Sequence, residues 1–214
     1  MKCNSSCELC NGDGYILHPN GQAQICPNDP IKYENAGVEL ADKAIAGLLS
    51  RTQALKAIQG AMSDLIKQGY GLLYLQGTYG IGKTVMAKAF TVDAVIAYES
   101  ALYQRQSELL NYLRASFAED KGQVEYNSRM KKIREVKWLV IDEIGRDRMT
   151  DFGVESLNEI VDARYQGALK QQLMTVLISN DPPEKVFEPY IVDRIGDVKN
   201  KVLNLQAKSQ RLGA

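Results

Sequence analysis

The sequence predicts an α/β fold, a mostly parallel sheet flanked by helices, and three observations carry that prediction. Leu72-Leu73-Tyr74-Leu75 runs into the glycine-rich stretch Gly77-Thr78-Tyr79-Gly80-Ile81-Gly82-Lys83-Thr84, and a helical pattern from Val85 to Ala97 leaves it. Trp138-Leu139-Val140-Ile141 is a continuous apolar run ending in Asp142 and Glu143. That is how a parallel strand buried on both faces delivers acids at its C-terminal edge. Leu173 to Ser179 is a further run of this kind and ends in Asn180. Strands alternating with helices give a parallel sheet covered on both sides.

Composition narrows the classes. The 214 residues suit one core domain with a small appendage. The formal net charge is zero, so any nucleic-acid contact must come from local patches rather than a global basic field. There is no apolar run long enough to span a bilayer. Met1 to Ser6 lacks the apolar stretch of a signal peptide, so a cytoplasmic protein without a membrane partner is expected. In that reducing compartment, clustered cysteines read as metal ligands rather than disulfides.

All four cysteines lie near the start: Cys3, Cys7, Cys10 and Cys26. Cys7-Glu8-Leu9-Cys10 has the C-x-x-C spacing that clamps one face of a tetrahedral Zn²⁺, and Cys26 adds a third thiolate. Cys3 is the expected fourth ligand, with His18 and Asp29 as alternatives. So short a segment, with few large apolar residues, needs a metal to fold. The expected division is a zinc-binding knuckle over 1–32, a linker and helical lead-in over 33–70, and the nucleotide-binding core over 71–214.

Pro30 to Gly37 reads as linker. Val38 to Leu49 reads as a helix packing Leu40, Ala44, Ile45, Leu48 and Leu49 inward. Ser50 or Thr52 caps a second helix in which Leu55, Ile58, Met62 and Leu65 recur at core spacing, and Gly69-Tyr70-Gly71 ends it. Ala101-Leu102-Tyr103 is a short strand, and Ser107 caps a helix over 108–117. Ala118 to Glu135 is polar and carries Lys121, Arg129, Lys131, Lys132 and Arg134. A solvated helix is the first reading of that charge run and a nucleic-acid contact the second. Ile144 to Asp151 is a loop with Arg146 and Arg148. Phe152 to Tyr165 is amphipathic, with Val154, Leu157, Ile160 and Val161 inward. Pro182-Pro183 forbids a helix directly after Asn180. Pro189 to Ile195 carries Arg194, and the chain closes with Val198 to Leu205 and Ser209-Gln210-Arg211.

The spacing G-x-x-x-x-G-K-T at Gly77 to Thr84 is that of a phosphate-binding loop. Its backbone N–H groups, through Thr78, Tyr79, Ile81 and Val85, wrap a polyphosphate at a helix N-terminus, where the dipole favours negative charge. Gly77, Gly80 and Gly82 let the backbone approach without a Cβ in the way. Lys83 is expected between the β- and γ-phosphates of ATP, and the Thr84 hydroxyl on Mg²⁺. Asp142 then holds Mg²⁺ through its water shell, and Glu143 polarises the attacking water. Asn180, at a neighbouring strand end, can hydrogen-bond that water or the γ-phosphate.

In this order the motifs resemble an AAA+ ATPase, and more narrowly the DnaC/DnaI-type helicase loaders and IstB-type transposition ATPases. The resemblance spans about residues 33 to 211. It is carried by Tyr33-Glu34-Asn35-Ala36-Gly37-Val38, the Gly77 to Thr84 loop, Ser107-Glu108-Leu109-Leu110 and Leu139-Val140-Ile141-Asp142-Glu143-Ile144-Gly145. It continues through Ala163-Arg164-Tyr165, Ser179-Asn180, Asp193-Arg194-Ile195 and Ser209-Gln210-Arg211. The resemblance implies that Asn180 is a sensor, Arg194 an arginine finger reaching a neighbouring subunit's γ-phosphate, and Arg211 a second nucleotide-sensing arginine. Arg164 reads as a structural salt-bridge partner. The stretch after Leu205 leaves no room for a C-terminal lid domain, which those families also lack. The early C-x-x-C followed by Gly12 and Gly14 is similar to the zinc-binding helicase-contact domain of DnaI-type loaders, from whose paired second half the single Cys26 departs.

The function implied is a weak, switch-like ATPase that loads a replicative helicase hexamer (DnaB/DnaC-type). It would self-associate into a ring or spiral and bind single-stranded DNA through Arg146, Arg148, Lys131 and Lys132. An IstB-like ATPase that binds duplex DNA and recruits a transposase is the alternative. A small-molecule kinase is the third class; the chain shows no acceptor-site motif, and the Asn180 and Arg194 pattern argues against it.

Overall fold

A computed structural model describes residues 7, 8, 10, 15–17, 23–26, 30–39, 41–49, 52–97, 99–118 and 122–207. Two short strands, β1 (Tyr15–Leu17) and β2 (Ala23–Ile25), pair antiparallel near the start. Helices α1 (Pro30–Asn35), α2 (Ala41–Leu48) and α3 (Gln53–Gln68) lead into β3 (Gly71–Gly77) and α4 (Lys83–Ile96). Then follow β4 (Ala101–Arg105), α5 (Gln106–Ala115), α6 (Gly122–Glu135), β5 (Trp138–Ile144), α7 (Asp151–Gln171), β6 (Met174–Ser179), α8 (Pro189–Ile195) and β7 (Lys201–Leu205).

The five strands from β3 onward form one parallel sheet in the order β4-β5-β6-β3-β7. The acid-bearing strand β5 is therefore not beside the loop strand β3; β6 lies between them. Successive side chains of a strand face opposite ways, and β3 shows how the two layers are filled. Leu73 and Leu75 join Ile58 and Met62 of α3 and Val92 and Val95 of α4. Leu72 and Tyr74 join Leu109 and Leu113 of α5, Met130 of α6, Leu157 and Ile160 of α7 and Ile191 of α8. Both faces of the central strands are thus dry, which is why β3, β5 and β6 read as largely apolar runs.

Four expectations change. Residues 30–37, read as linker, begin with α1. Tyr33, Ala36 and Val38 are buried in the same cluster as β3. The segment is pinned to the edge strand: Ala36 O accepts the Tyr103 N–H at 2.7 Å. Gly37 has φ 73°, and a Cβ there would lie 2.0 Å from Tyr103 O, so only glycine fits. Second, α2 faces the other way from its apolar stripe. Ala44, Ile45 and Leu48 are exposed, Leu48 at 85%, and only Leu49 of that set packs inward; Leu40 lies outside the described residues. Polar anchoring decides this: Asp42, 9% exposed, accepts the Glu39 N–H at 2.8 Å and pairs with Lys88, while Lys43 pairs with Asp93 of α4.

Third, the helix after β4 starts at Gln106 rather than after Ser107, because Glu108 accepts the Arg105 N–H. Fourth, Arg164 makes no salt bridge among the described residues. At 1% exposed it donates to Thr175 Oγ1 and to the carbonyls of Ile133, Arg134, Val136 and Met174 at 2.7–3.1 Å. Ile133 and Arg134 sit in the last turn of α6, whose carbonyls have no partner within the helix, so this guanidinium closes α6 and staples it to β6. Burial lowers its pKa. Thr52 caps α3 through the Leu55 N–H, as one of the two expected caps. Among the described residues no helix is long and apolar enough to cross a membrane.

Candidate nucleotide site

The loop between β3 and α4 carries the site. Gly80 and Gly82 have φ of 75° and 94°, left-handed values that aim successive N–H groups into one concavity at the start of the 14-residue helix α4. Lys83 lies over it, 7% exposed. Its Nζ donates to Gly77 O at 2.7 Å, Thr78 O at 2.9 Å and Asn180 Oδ1 at 3.1 Å. Burial lowers the lysine pKa, and nearby Asp142 opposes that shift. A buried cation held by neutral oxygens is poised for an anionic ligand.

The acids are presented by a β-bulge. Ile141 pairs with Leu177 but Ile144 pairs with Ser179, so one extra residue is accommodated at Asp142–Glu143. Glu143 has φ 56°, a left-handed conformation that costs a non-glycine residue about 1–3 kcal/mol and recurs at functional sites. The bulge turns Asp142 across β6 toward the loop. Thr84 Oγ1 donates to Asp142 Oδ2 at 2.6 Å, and Tyr103 donates its hydroxyl to the same oxygen at 2.7 Å. Burial and the adjacent carboxylate push the Tyr103 pKa well above the usual phenol range. The Glu143 N–H donates to Asp142 Oδ1 at 2.7 Å.

A hydroxyl and a carboxylate in contact beside a phosphate loop are a hard oxygen donor set, the kind Mg²⁺ takes. Thr84 and Asp142 would hold the ion, which when bound neutralises charge on the β- and γ-oxygens of a nucleotide. Glu143 is half-buried at the cleft. Arg146 donates to its carboxylate at 2.5 Å and Arg105 Nε lies 3.9 Å away. The cleft is lined by Leu49, Tyr79 to Val85, Asp142, Glu143, Arg146 and Ser179-Asn180.

A family profile described as IstB-like ATP binding protein matches residues 56–193, more than half of the chain, including the phosphate loop, Asp142, Glu143 and Asn180. The chain belongs to the IstB-like ATP-binding protein family. This IstB-like protein is 29% identical over 128 residues to the replicative helicase loader DnaI of Bacillus subtilis (strain 168), a match covering 58% of this chain and 38% of that one. It is 29% identical over 134 residues to an ATP-binding protein of insertion sequence IS1162 from Pseudomonas fluorescens, covering 63% of this chain and 54% of that one. The chain therefore spans about half or less of the curated relatives it matches. A crystal structure of DnaI superposes with a TM-score of 0.58 at 19% identity, over 78% of this chain and 89% of that one. The fold is that of a P-loop AAA+ domain.

Within the IstB-like core, Lys83, Thr84, Asp142, Glu143 and Asn180 meet around one cleft, as their sequence positions imply. Arg194 does not line it. It lies on α8, ion-paired to Asp162, with its guanidinium over the rings of Tyr165 and Tyr190. Lys131, Lys132, Arg146 and Arg148 are all exposed, and Arg146 also lines the cleft. Arg211, Cys3, His18 and Asp29 lie outside the described residues.

The sulfurs of Cys7, Cys10 and Cys26 lie within 4.8 Å of one another, with Cys7 and Cys26 at 3.7 Å. Zn–S bonds of about 2.3 Å in a tetrahedron put sulfurs about 3.8 Å apart, so the trio fits three corners of such a site. Residues missed from the sequence are Tyr103, Arg105 and Gln106, where β4 passes into α5. Gln106 accepts the Gly145 N–H at 2.8 Å. Polar residues at the C-terminal edge of a parallel strand were the available signal.

Proposed function

We propose that this protein is an ATP-dependent helicase loader acting in DNA replication, with an ATP site that works as a slow, assembly-dependent switch. The observation that carries the loader reading is the thiol trio of Cys7, Cys10 and Cys26. It lies outside the family match at 56–193 and equips the ATP-binding core with a separate small element, suited to a dedicated protein partner. Zn²⁺ held by these thiolates would order that element for a replicative helicase hexamer.

In this reading Lys83 exchanges its loop carbonyls for β- and γ-phosphate oxygens. Thr84 and Asp142 hold Mg²⁺. Glu143 accepts a proton from the attacking water, which Asn180 orients. Arg194 leaves Asp162 on assembly and reaches the γ-phosphate of the neighbouring subunit in a ring or spiral; Arg211 reads the nucleotide in cis. Lys131, Lys132, Arg148 and Arg146 supply phosphate contacts to single-stranded DNA, a binding that weakens steeply with salt. Cytoplasmic residence belongs to the same reading.

The family match and the insertion-sequence relative favour a second reading, an ATPase that coats duplex DNA and recruits a transposase. Affinity capture with the full chain and with Cys7→Ser/Cys10→Ser separates them. The loader reading expects a replicative helicase to be recovered with the unaltered chain and lost with the double variant. Recovery of a transposase by both reverses the assignment.

A further inference from the structure

Beside the loop and the acids lies a support, two of its three residues buried, that neither motif contains. The end of β4 and the first residue of α5 touch three parts of the acid loop in turn: Tyr103 meets Asp142, Arg105 approaches Glu143, and Gln106, 3% exposed, accepts the Gly145 N–H. Tyr103 makes the tightest of these contacts. It is 4% exposed, and the carboxylate it meets belongs to a residue 1% exposed. Asp142 Oδ2 accepts from Thr84 and Tyr103 together, and Oδ1 accepts the Glu143 N–H. Of these three donors only Tyr103 comes from outside the phosphate loop and the acid motif. It is itself held through the Ala36 O contact to its N–H and the close approach of Gly37 to its carbonyl.

We infer that Tyr103 is a positioning residue of the site, its hydroxyl fixing the Asp142 carboxylate so that Oδ2 faces the Thr84 hydroxyl and a Mg²⁺ ion held there. The inference rests on the nucleotide-site reading above. Tyr103 does not touch the nucleotide; it acts through Asp142. A carboxylate leaving a β-bulge can turn about its own side-chain bonds, and a donor on one chosen oxygen stops that rotation. Partners that orient metal ligands in this way change metal affinity by about 10–100-fold when removed. The loop amides and Lys83 reach phosphate without passing through Tyr103, so metal-free nucleotide binding does not depend on it.

The test uses the full chain, a fluorescent non-hydrolysable ATP analogue and Mg²⁺ titration. Tyr103→Phe keeps the ring and removes only the hydroxyl. The expected result is a rise of about tenfold in half-saturating Mg²⁺, with metal-free analogue affinity unchanged. In an Asp142→Asn background, Tyr103→Phe should add no further change. Half-saturating Mg²⁺ within about twofold of the unaltered chain overturns the inference, even if the melting temperature falls, because a purely structural tyrosine gives that pattern. Loss of metal-free binding also overturns it. If the unaltered chain binds the analogue with no dependence on Mg²⁺, the inference fails with the assignment of Mg²⁺ to Thr84 and Asp142; if it does not bind the analogue at all, the nucleotide-site reading itself fails.

Discussion

Arg164 offers a large stability effect from a single side chain outside the nucleotide site. Replacing it with Leu removes donors from the carbonyls of Ile133, Arg134, Val136 and Met174 and from the Thr175 hydroxyl. A buried acceptor left without a donor costs about 1–3 kcal/mol. Five such costs do not add in full. Arg134 and Val136 are only half-buried and their carbonyls can turn to water, and losing a buried charge returns some desolvation energy. The expected net loss is about 3–4 kcal/mol, in the range of a broken buried network. For a chain of this size that lowers the melting midpoint by about 6–16 °C. Arg164→Lys should lose nearly as much, because one ammonium cannot reproduce the planar fork. Urea unfolding, with an unchanged slope, measures the loss. A loss under about 1 kcal/mol for Arg164→Leu would refute the staple reasoning, since it would mean that the carbonyls find equal partners without the guanidinium.

Further outcomes concern the site. Lys83→Ala should abolish binding of a fluorescent ATP analogue, and retained affinity would contradict the placement of Lys83 at the phosphates. Glu143→Gln should bind ATP normally, lose hydrolysis by about 100-fold or more, and accumulate as assembled species in analytical ultracentrifugation; unchanged turnover would remove Glu143 from the chemistry. The lowered Lys83 pKa has a signed consequence for the nucleotide-free protein. Between the lowered folded value and the unfolded value of 10.5, the unfolded state binds more protons, so stability rises with pH across that window. The unaltered chain should therefore gain stability relative to Lys83→Met as pH rises toward 10.5, followed by melting midpoints of both; a difference that is flat with pH would assign the effect to something other than the buried charge.

The loop, Asp142 and Asn180 were legible because each sits at the end of an apolar run whose strand type is set by burial on both faces. The strand order was not legible: nothing in β3 or β5 shows that β6 lies between them, since all three are largely apolar and buried almost throughout. The stripe of Ala44, Ile45 and Leu48 was seen correctly as a periodicity but assigned to the wrong side. Period says that residues share a face; the ion pairs of Asp42 and Lys43 with α4 decide which face packs. Pro30 to Gly37 read as linker because a six-residue helix leaves little periodic signal, while its burial depends on the long-range contact with Tyr103. Arg164 looked like half of a salt bridge because sequence shows charges and not carbonyls. Tyr103, Arg105 and Gln106 escaped because their partners, at the end of the neighbouring strand β5, come 38 or 39 residues later.

The claim on which the switch rests is that the loop site is only half a site, completed by Arg194 of the next subunit. Mixing two inactive variants tests it most directly. Lys83→Ala lacks the phosphate contact but keeps Arg194; Arg194→Ala keeps the loop but lacks the arginine. Each alone should be silent in a steady-state ATPase assay, and Arg194→Ala should still bind nucleotide. Combined in equal amounts they should regain part of the unaltered activity, because intact loops then face intact arginines. Full activity of Arg194→Ala by itself, or a mixture as silent as its components, would contradict completion of the site in trans.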